Sequence, residues 1–380
     1  MSGMVLRFHF HILHSSWKGI FDRNLWRAKV VGVNVLISPK VSRMASSGAI
    51  GKNLHEKKPL VGIISQYFFQ SKNDLEKLAR HCPSATFVVI NGEEITSDCL
   101  KDMEIVIADP PLVCEWIHQF PKLKWMQATF AGINSIIHSI EPCKLPTYSL
   151  TKLSGVFGAS IAEYVVGHVI ARERKFLLCL EYQKSKSWCS WEKLKYRELS
   201  DLTIGILGFG SIGKVIAEYC HCMKMKVFGI HRAVPTSKVH YVDKSFGIEE
   251  LAECLKECDY FVSVLPSAES TRGLLSGEVL KNCTAKKTVL INVGRGDLLD
   301  EKSILRALDE QWIGGAILDV FEREPLSKES ALWCHPQVFI TPHVSGLINS
   351  DMILQVFVEN FQLYKDGKEL KYIVDWKKGY

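Results

Sequence analysis

Among its 12 cysteines the sequence has no CxxC pair, which excludes a dithiol redox motif and the commonest zinc spacings. Cys220-His221-Cys222 comes nearest to a ligand cluster, but alternate residues on a helix diverge and cannot converge on one ion. No metal is expected, and cysteines scattered in this way read as reduced thiols of a cytosolic-type interior. Long apolar runs are missing too. None approaches the ~18 residues that span a bilayer, so no membrane segment is expected.

A basic field is also missing from most of the chain. The formal net charge is +6, yet residues 1–44 hold seven Lys/Arg (Arg7, Lys18, Arg23, Arg27, Lys29, Lys40 and Arg43) against the single acid Asp22. That stretch carries the whole excess. The remainder is formally neutral, which removes the electrostatic support for nucleic-acid binding. Two readings of the leader stay open. Basic, Ser-containing and acid-poor, it fits a mitochondrial transit peptide; alternatively Met44 opens a cytoplasmic protein at "MASSGAIGKN". Arg7, His9, His11 and His14 break up any secretory apolar core.

With 47% hydrophobic and 23% charged residues, the chain has the composition of a globular protein with ample core, and 380 residues suit about two domains. Apolar runs at Leu60–Ile64, Thr86–Ile90, Glu104–Ala108 and Lys124–Gln127 alternate with helical stretches such as Ser71–Arg80 and a proline-framed helix at 110–121. The alternation predicts parallel βαβ units. Ile161, Tyr164, Val165, His168 and Val169 mark one face of a long helix running to about Leu180, suited to connect domains. The polar stretch after it carries Trp188 and Trp191, which suit either a partner surface or packing on the chain itself. A second alternating series runs from Leu202 to Thr341, and a helix over 349–365 is expected to return to the first unit.

Gly208-Phe209-Gly210-Ser211-Ile212-Gly213 fits G-x-G-x-x-G between an apolar strand (202–207) and a helix from Ser211. In that context Gly208 allows a tight turn, Gly210 lets backbone approach a pyrophosphate, and Gly213 lets helix and strand pack closely. The helix-start amides, from Ser211 and Ile212 on, would hold the phosphates. The next strand ends at His231-Arg232, where NAD-binding folds carry an acid for the ribose hydroxyls. A cation there suits the 2′-phosphate of NADP, so Arg232, with His231 beside it, points to NADPH over NADH.

Three further residues each follow a strand: Arg295 in "INVGRGD", Glu324 in "LDVFEREPL" and His343 in "TPHVSG". Ligand crevices of open parallel sheets lie beyond the carboxyl ends of the strands, so the three can converge on one small polar substrate. Histidine can protonate a carbonyl oxygen, a hydrogen-bonded carboxylate favours its charged form, and arginine offers a fork for a carboxylate. This inventory suits reduction of a 2-keto acid by a nicotinamide cofactor.

On GFGSIG, "VLPSAESTRGLL", "INVGRGDLLD", "GGAILDVFEREPL", "TPHVSG" and the terminal "VDWKKGY", in that order, the sequence resembles the D-isomer-specific 2-hydroxyacid dehydrogenase family over residues 59–380. The resemblance implies an α/β fold of two Rossmann-like or flavodoxin-like parallel-sheet domains, the cofactor domain inserted in a discontinuous substrate domain. The boundaries would be 1–58 for the basic leader, 59–155 with 345–380 for the substrate domain, and 156–344 for the NAD(P)-binding domain. It implies His343 as acid/base paired with Glu324, and Arg295 for substrate binding and polarisation. The amides of Ala131 and Gly132 in "TFAGINSI" would hold the substrate carboxylate. Leu265, Pro266, Thr271, Val293 and Asp319 join the cofactor set, and a homodimer is the usual assembly. Asn134 departs from the Asp common in the family, which bears on the anchoring of that loop. Length and terminus lean toward the glyoxylate/hydroxypyruvate reductase branch. Only 37 residues follow His343, unlike phosphoglycerate dehydrogenases with a regulatory domain, and Glu324 stands where formate dehydrogenases have Gln. A rival from another class is a dinucleotide-sensing binding protein of the same fold, similar to the family's co-repressors.

Overall fold

The computed structural model describes residues 58–141, 144–232 and 239–376, together with two short strands, β1 (Lys29–Val30) and β2 (Val33–Ile37). Apart from those strands, the basic leader lies outside the described residues, as does the end of "VDWKKGY". The chain forms two compact units: residues 1–153 with 349–380, and residues 154–348.

The first unit is built on β3 (Leu60–Ile64), β4 (Thr86–Val89), β5 (Ile105–Ala108), β6 (Trp125–Ala128) and β7 (Ser149–Thr151). Its sheet runs β1-β2-β4-β3-β5-β6-β7, parallel except for the β1–β2 pair. The continuous apolar runs read from the sequence are what a sheet covered on both faces requires; every residue of β5 and β6 is buried. The helix Ser350–Lys365 returns to this unit, where Phe357 stacks on Trp125 at 5.0 Å between ring centres. Asn349 caps it by accepting the Met352 amide.

The second unit holds β8 (Thr203–Leu207), β9 (Lys226–His231), β10 (Lys244–Gly247), β11 (Tyr260–Ser263), β12 (Val289–Asn292), β13 (Gly315–Leu318) and β14 (Val338–Ile340). They form one wholly parallel sheet in the order β10-β9-β8-β11-β12-β13-β14. The order reverses at β8, the switch point where such sheets open a crevice. Its core gathers Phe228, Phe261, Leu255, Leu290 and Trp312.

Two expected helices differ. The long helix ends at Glu173, and Lys175 adopts a left-handed φ of 54° before a second helix, Phe176–Lys184. Burial explains the difference: Ile161, Val165 and Val169 are buried, whereas Phe176, Leu177 and Leu180 are exposed, so the apolar face has no shared support past the break. The helix expected over 110–121 is a four-residue turn, Pro110–Val113, passing into a tighter turn at Cys114–Trp116.

Candidate active site

All strands of the second sheet are parallel, so their carboxyl ends share one edge. Along it stand Arg232 after β9, the glycine turn after β8, Leu265 after β11, Arg295 after β12, Glu324 after β13 and His343 after β14. Five strand spacings of ~4.8 Å put roughly 24 Å of edge between the Arg232 and His343 strands.

The glycine turn has the geometry its sequence predicts. Gly208 sits at φ 102°, a conformation that side chains resist. A Cβ on Gly213 would lie 2.3 Å from the Gly208 carbonyl oxygen, so glycine is what lets the helix Ser211–Cys222 close on β8. At Gly210 a Cβ would meet nothing within 4 Å among the described residues, leaving an open approach to the backbone. No side chain caps this helix, so its first amides remain available to an anion. The donor set therefore fits a dinucleotide pyrophosphate.

Arg232 is exposed at the end of β9; residues 233–238 beyond it lie outside the described residues. His231 packs its ring on Phe209 at 4.7 Å, and among the described residues its Nε2 is buried without a hydrogen-bond partner. Burial, then the nearby Lys214, pulls this imidazole below its ordinary range. After β11, Leu265 is half-buried and Pro266 exposed, and the Pro266 carbonyl accepts the Thr271 hydroxyl at 2.8 Å. A Cβ on Gly294 would fall 2.6 Å from the Leu265 oxygen, so that glycine allows the turn after buried Val293 to close on the β11 loop.

At the other end of the edge, His343 Nδ1 lies 2.7 Å from Glu324 Oε2. The second carboxylate oxygen of Glu324 accepts the Phe321 amide at 3.0 Å, which fixes its orientation. His343 itself adopts φ 55°. That turn is held from beneath by Asp319, which is completely buried. The Asp319 carbonyl accepts the His343 amide, and its carboxylate accepts the Val344 and Ser345 amides and the Thr341 hydroxyl. Thr341 in turn accepts from Tyr164 at 2.7 Å. Arg295 donates from Nη1 to the Gly294 carbonyl at 2.7 Å, and its own carbonyl accepts from Asn292. Burial pulls its guanidinium below the usual arginine range, with Glu324 and then Asp297 acting against that shift.

Asn292, Asp297, Thr341 and Tyr164 were not among the residues expected from the sequence. The one signal for Asn292 and Thr341 was a polar residue closing an apolar strand; Tyr164 read as part of a helix face. In the first unit, Ala131 and Gly132 form the half-buried turn after β6, and no side chain caps the helix Asn134–Ser139 beyond it. Among the described residues no group of His, Cys, Asp and Glu could hold a metal ion, and no helix is long and apolar enough to cross a membrane.

Residues 166–345 match the family pattern described as D-isomer specific 2-hydroxyacid dehydrogenase, NAD binding domain. Over 267 residues the chain is 29% identical to glyoxylate/hydroxypyruvate reductase A of Citrobacter koseri, a match covering 68% of this chain and 82% of that protein. A D-isomer specific 2-hydroxyacid dehydrogenase family protein from Aeromonas salmonicida subsp. salmonicida superposes with a TM-score of 0.76 at 32% identity, covering 84% of this chain and all of that one. An NADPH-dependent glyoxylate/hydroxypyruvate reductase of Sinorhizobium meliloti, solved with NADP and sulfate, gives 0.70 at 26% identity over 85% of this chain and all of its own.

Proposed function

Because the chain belongs to the D-isomer-specific 2-hydroxyacid dehydrogenase family and is thereby an NAD(P)-dependent oxidoreductase, we propose that it reduces small 2-keto acids, glyoxylate and hydroxypyruvate foremost, with NADPH preferred over NADH. The observation that carries this reading is the 2.7 Å contact of His343 Nδ1 with Glu324, on the strand edge that also bears Arg295 and the open glycine turn. A bound nicotinamide supplies the hydride. The Gly210–Gly213 turn and the amides of Ser211 and Ile212 would hold its pyrophosphate, and Arg232 would meet the 2′-phosphate.

The proton comes from His343. With Nδ1 held by the carboxylate, Nε2 faces the substrate oxygen and delivers a proton as negative charge develops there. Glu324 stabilises the imidazolium before transfer and fixes the ring's orientation. Arg295 spends one donor on the Gly294 carbonyl, which aims the guanidinium; its remaining N–H groups bind the keto acid and polarise its carbonyl. In the first unit, the Ala131 and Gly132 amides are the donors assigned to the substrate carboxylate.

A homodimer is the assembly this reading carries. Phe176, Leu177 and Trp188 are exposed in the second unit, and a groove of about 640 Å³ there is lined by Phe176, Leu177, Tyr196, Ile317 and Phe339 among others. A protruding tryptophan and an apolar hollow on one surface suit a self-complementary two-fold pair. A cytoplasmic location accords with this chemistry. Steady-state kinetics over glyoxylate, hydroxypyruvate, pyruvate and phenylpyruvate, each with NADPH and NADH, tests the proposal. Turnover fastest on the first two with NADPH is expected; no turnover on any of the four would refute it.

A further inference from the structure

Strands β3, β5 and β6 are neighbours in the first sheet, and one buried carboxylate joins the loops that leave all three. Asp109 follows β5 directly and is 1% exposed. Its Oδ2 accepts the Ser65 hydroxyl at 3.0 Å and the Gln66 amide at 2.8 Å, both from the loop after β3. Its Oδ1 accepts the Thr129 hydroxyl at 2.5 Å, from the first residue after β6. Ser65 passes the restraint on, because its oxygen also accepts the Phe68 amide at 2.9 Å, and Phe68 packs edge-on against Phe130 at 5.8 Å. Thr129 and Ser65 are themselves buried. Asp109 makes no ion pair among the described residues; every group that faces its oxygens is a hydroxyl or a backbone amide.

Thr129 and Phe130 lead straight into Ala131 and Gly132, and the helix beginning at Asn134 has no side-chain cap. The turn after β6 is held at its start by hydrogen bonds, from Thr129 to Asp109 and from the Leu153 amide to the Phe130 carbonyl, and at its end by the packing of buried Ile133. A carboxylate is suited to this task because it accepts on both oxygens at once, and charge-assisted bonds are about twice as strong as neutral ones. Buried acceptors that lose their donors are costly, which makes the linkage rigid.

We propose that Asp109 is a positioning residue for substrate binding: through Thr129 it fixes the Ala131–Gly132 turn in the conformation that receives a 2-keto acid's carboxylate. This rests on the proposed function's assignment of those amides to the substrate carboxylate. Asp109→Asn keeps the shape but only one acceptor: with its oxygen retained by the Gln66 amide and the Ser65 hydroxyl, its NH2 turns to Thr129, and the charge-assisted bond from the Thr129 hydroxyl is lost. Thr129→Val removes the hydroxyl and keeps the shape, and Thr129→Ser restores the hydroxyl.

The test compares wild type with these three variants in glyoxylate kinetics with NADPH, and in calorimetric binding of oxalate to the NADP-loaded protein. KM for glyoxylate and Kd for oxalate should each rise about tenfold in Asp109→Asn and in Thr129→Val, the loss of one charge-assisted bond, while kcat and NADPH affinity stay within about twofold. Thr129→Ser should recover most of the loss. Unchanged KM and oxalate Kd in folded Asp109→Asn would overturn the proposal, and so would kcat and NADPH affinity falling in step with KM. If Asp109→Asn does not fold, the Thr129 pair decides by the same criteria. A wild type that turns over no 2-keto acid would sink the functional reading, yet weakened oxalate binding in the variants would still uphold the role of Asp109. A wild type that binds no oxalate would overturn it.

Discussion

Gly210→Ala separates a dinucleotide site from a merely structural glycine turn. At Gly210 an added methyl meets no heavy atom of the described residues within 4 Å, and the backbone lies at φ −85°, which any residue adopts. Fold stability should therefore barely move. Alanine is the poorer N-cap by a few tenths of a kcal/mol up to about 1, and the stiffer unfolded chain offsets a similar amount. The same methyl would stand where a pyrophosphate must approach the amides of Ser211 and Ile212. Losing one or two charge-assisted bonds of ~1.5–3 kcal/mol each weakens binding roughly 10- to 100-fold or more. Gly213→Ala is the counter-case: its Cβ would lie 2.3 Å from the backbone oxygen of Gly208, so helix and strand must separate and the thermal midpoint should fall clearly. The assay is NADPH titration by tryptophan fluorescence beside a thermal melt. Gly210→Ala binding NADPH as tightly as wild type would refute the reasoning, since the turn would then be structural only.

Three further outcomes rest on the same geometry. Glu324→Gln removes the charge and keeps one acceptor of the two, so either His343 Nδ1 or the Phe321 amide loses its partner; with both side chains part-exposed, a loss of about 1–2 kcal/mol is expected, and kcat/KM should drop roughly 5- to 30-fold with NADPH affinity unchanged. Arg232→Asp should shift the kcat/KM ratio from NADPH toward NADH, and an unaltered ratio would remove Arg232 from the 2′-phosphate. Asp300 caps the helix Glu301–Asp309. Burial alone would raise its carboxyl, but hydrogen bonds from Ser276 and Ser303 outweigh that and hold it below the usual range. A depressed carboxyl adds stability above its unfolded value and loses it as pH falls through the folded one. Asp300→Ala should thus cost ~1 kcal/mol at neutral pH, with the gap to wild type closing below about pH 4 in denaturant melts.

Much of the fold is legible because parallel strands covered on both faces need unbroken apolar runs. β3, β8, β9 and β12 are therefore visible in the sequence to within a residue or two. The three-residue β7 and the short, partly polar β10 carry too few apolar residues to declare themselves. The apolar run Phe176-Leu177-Leu178 reads as more buried helix, and only the exposed positions past Lys175 show that its face is free. At the site, Arg295, Glu324 and His343 are legible because each follows a strand in a recognisable motif. Asp109, Tyr164 and Thr341 are not, because their meaning lies in partners that adjoin only after folding: Tyr164 and Thr341 are 177 residues apart yet 2.7 Å from each other.

The central claim is that His343 donates the proton in 2-keto acid reduction. Its most direct test is NADPH oxidation with glyoxylate by His343→Ala, alongside the variant's NADPH affinity. Turnover at least ~10²-fold below wild type with NADPH binding essentially unchanged is expected, the loss typical of a removed general acid. Turnover equal to wild type would contradict the claim.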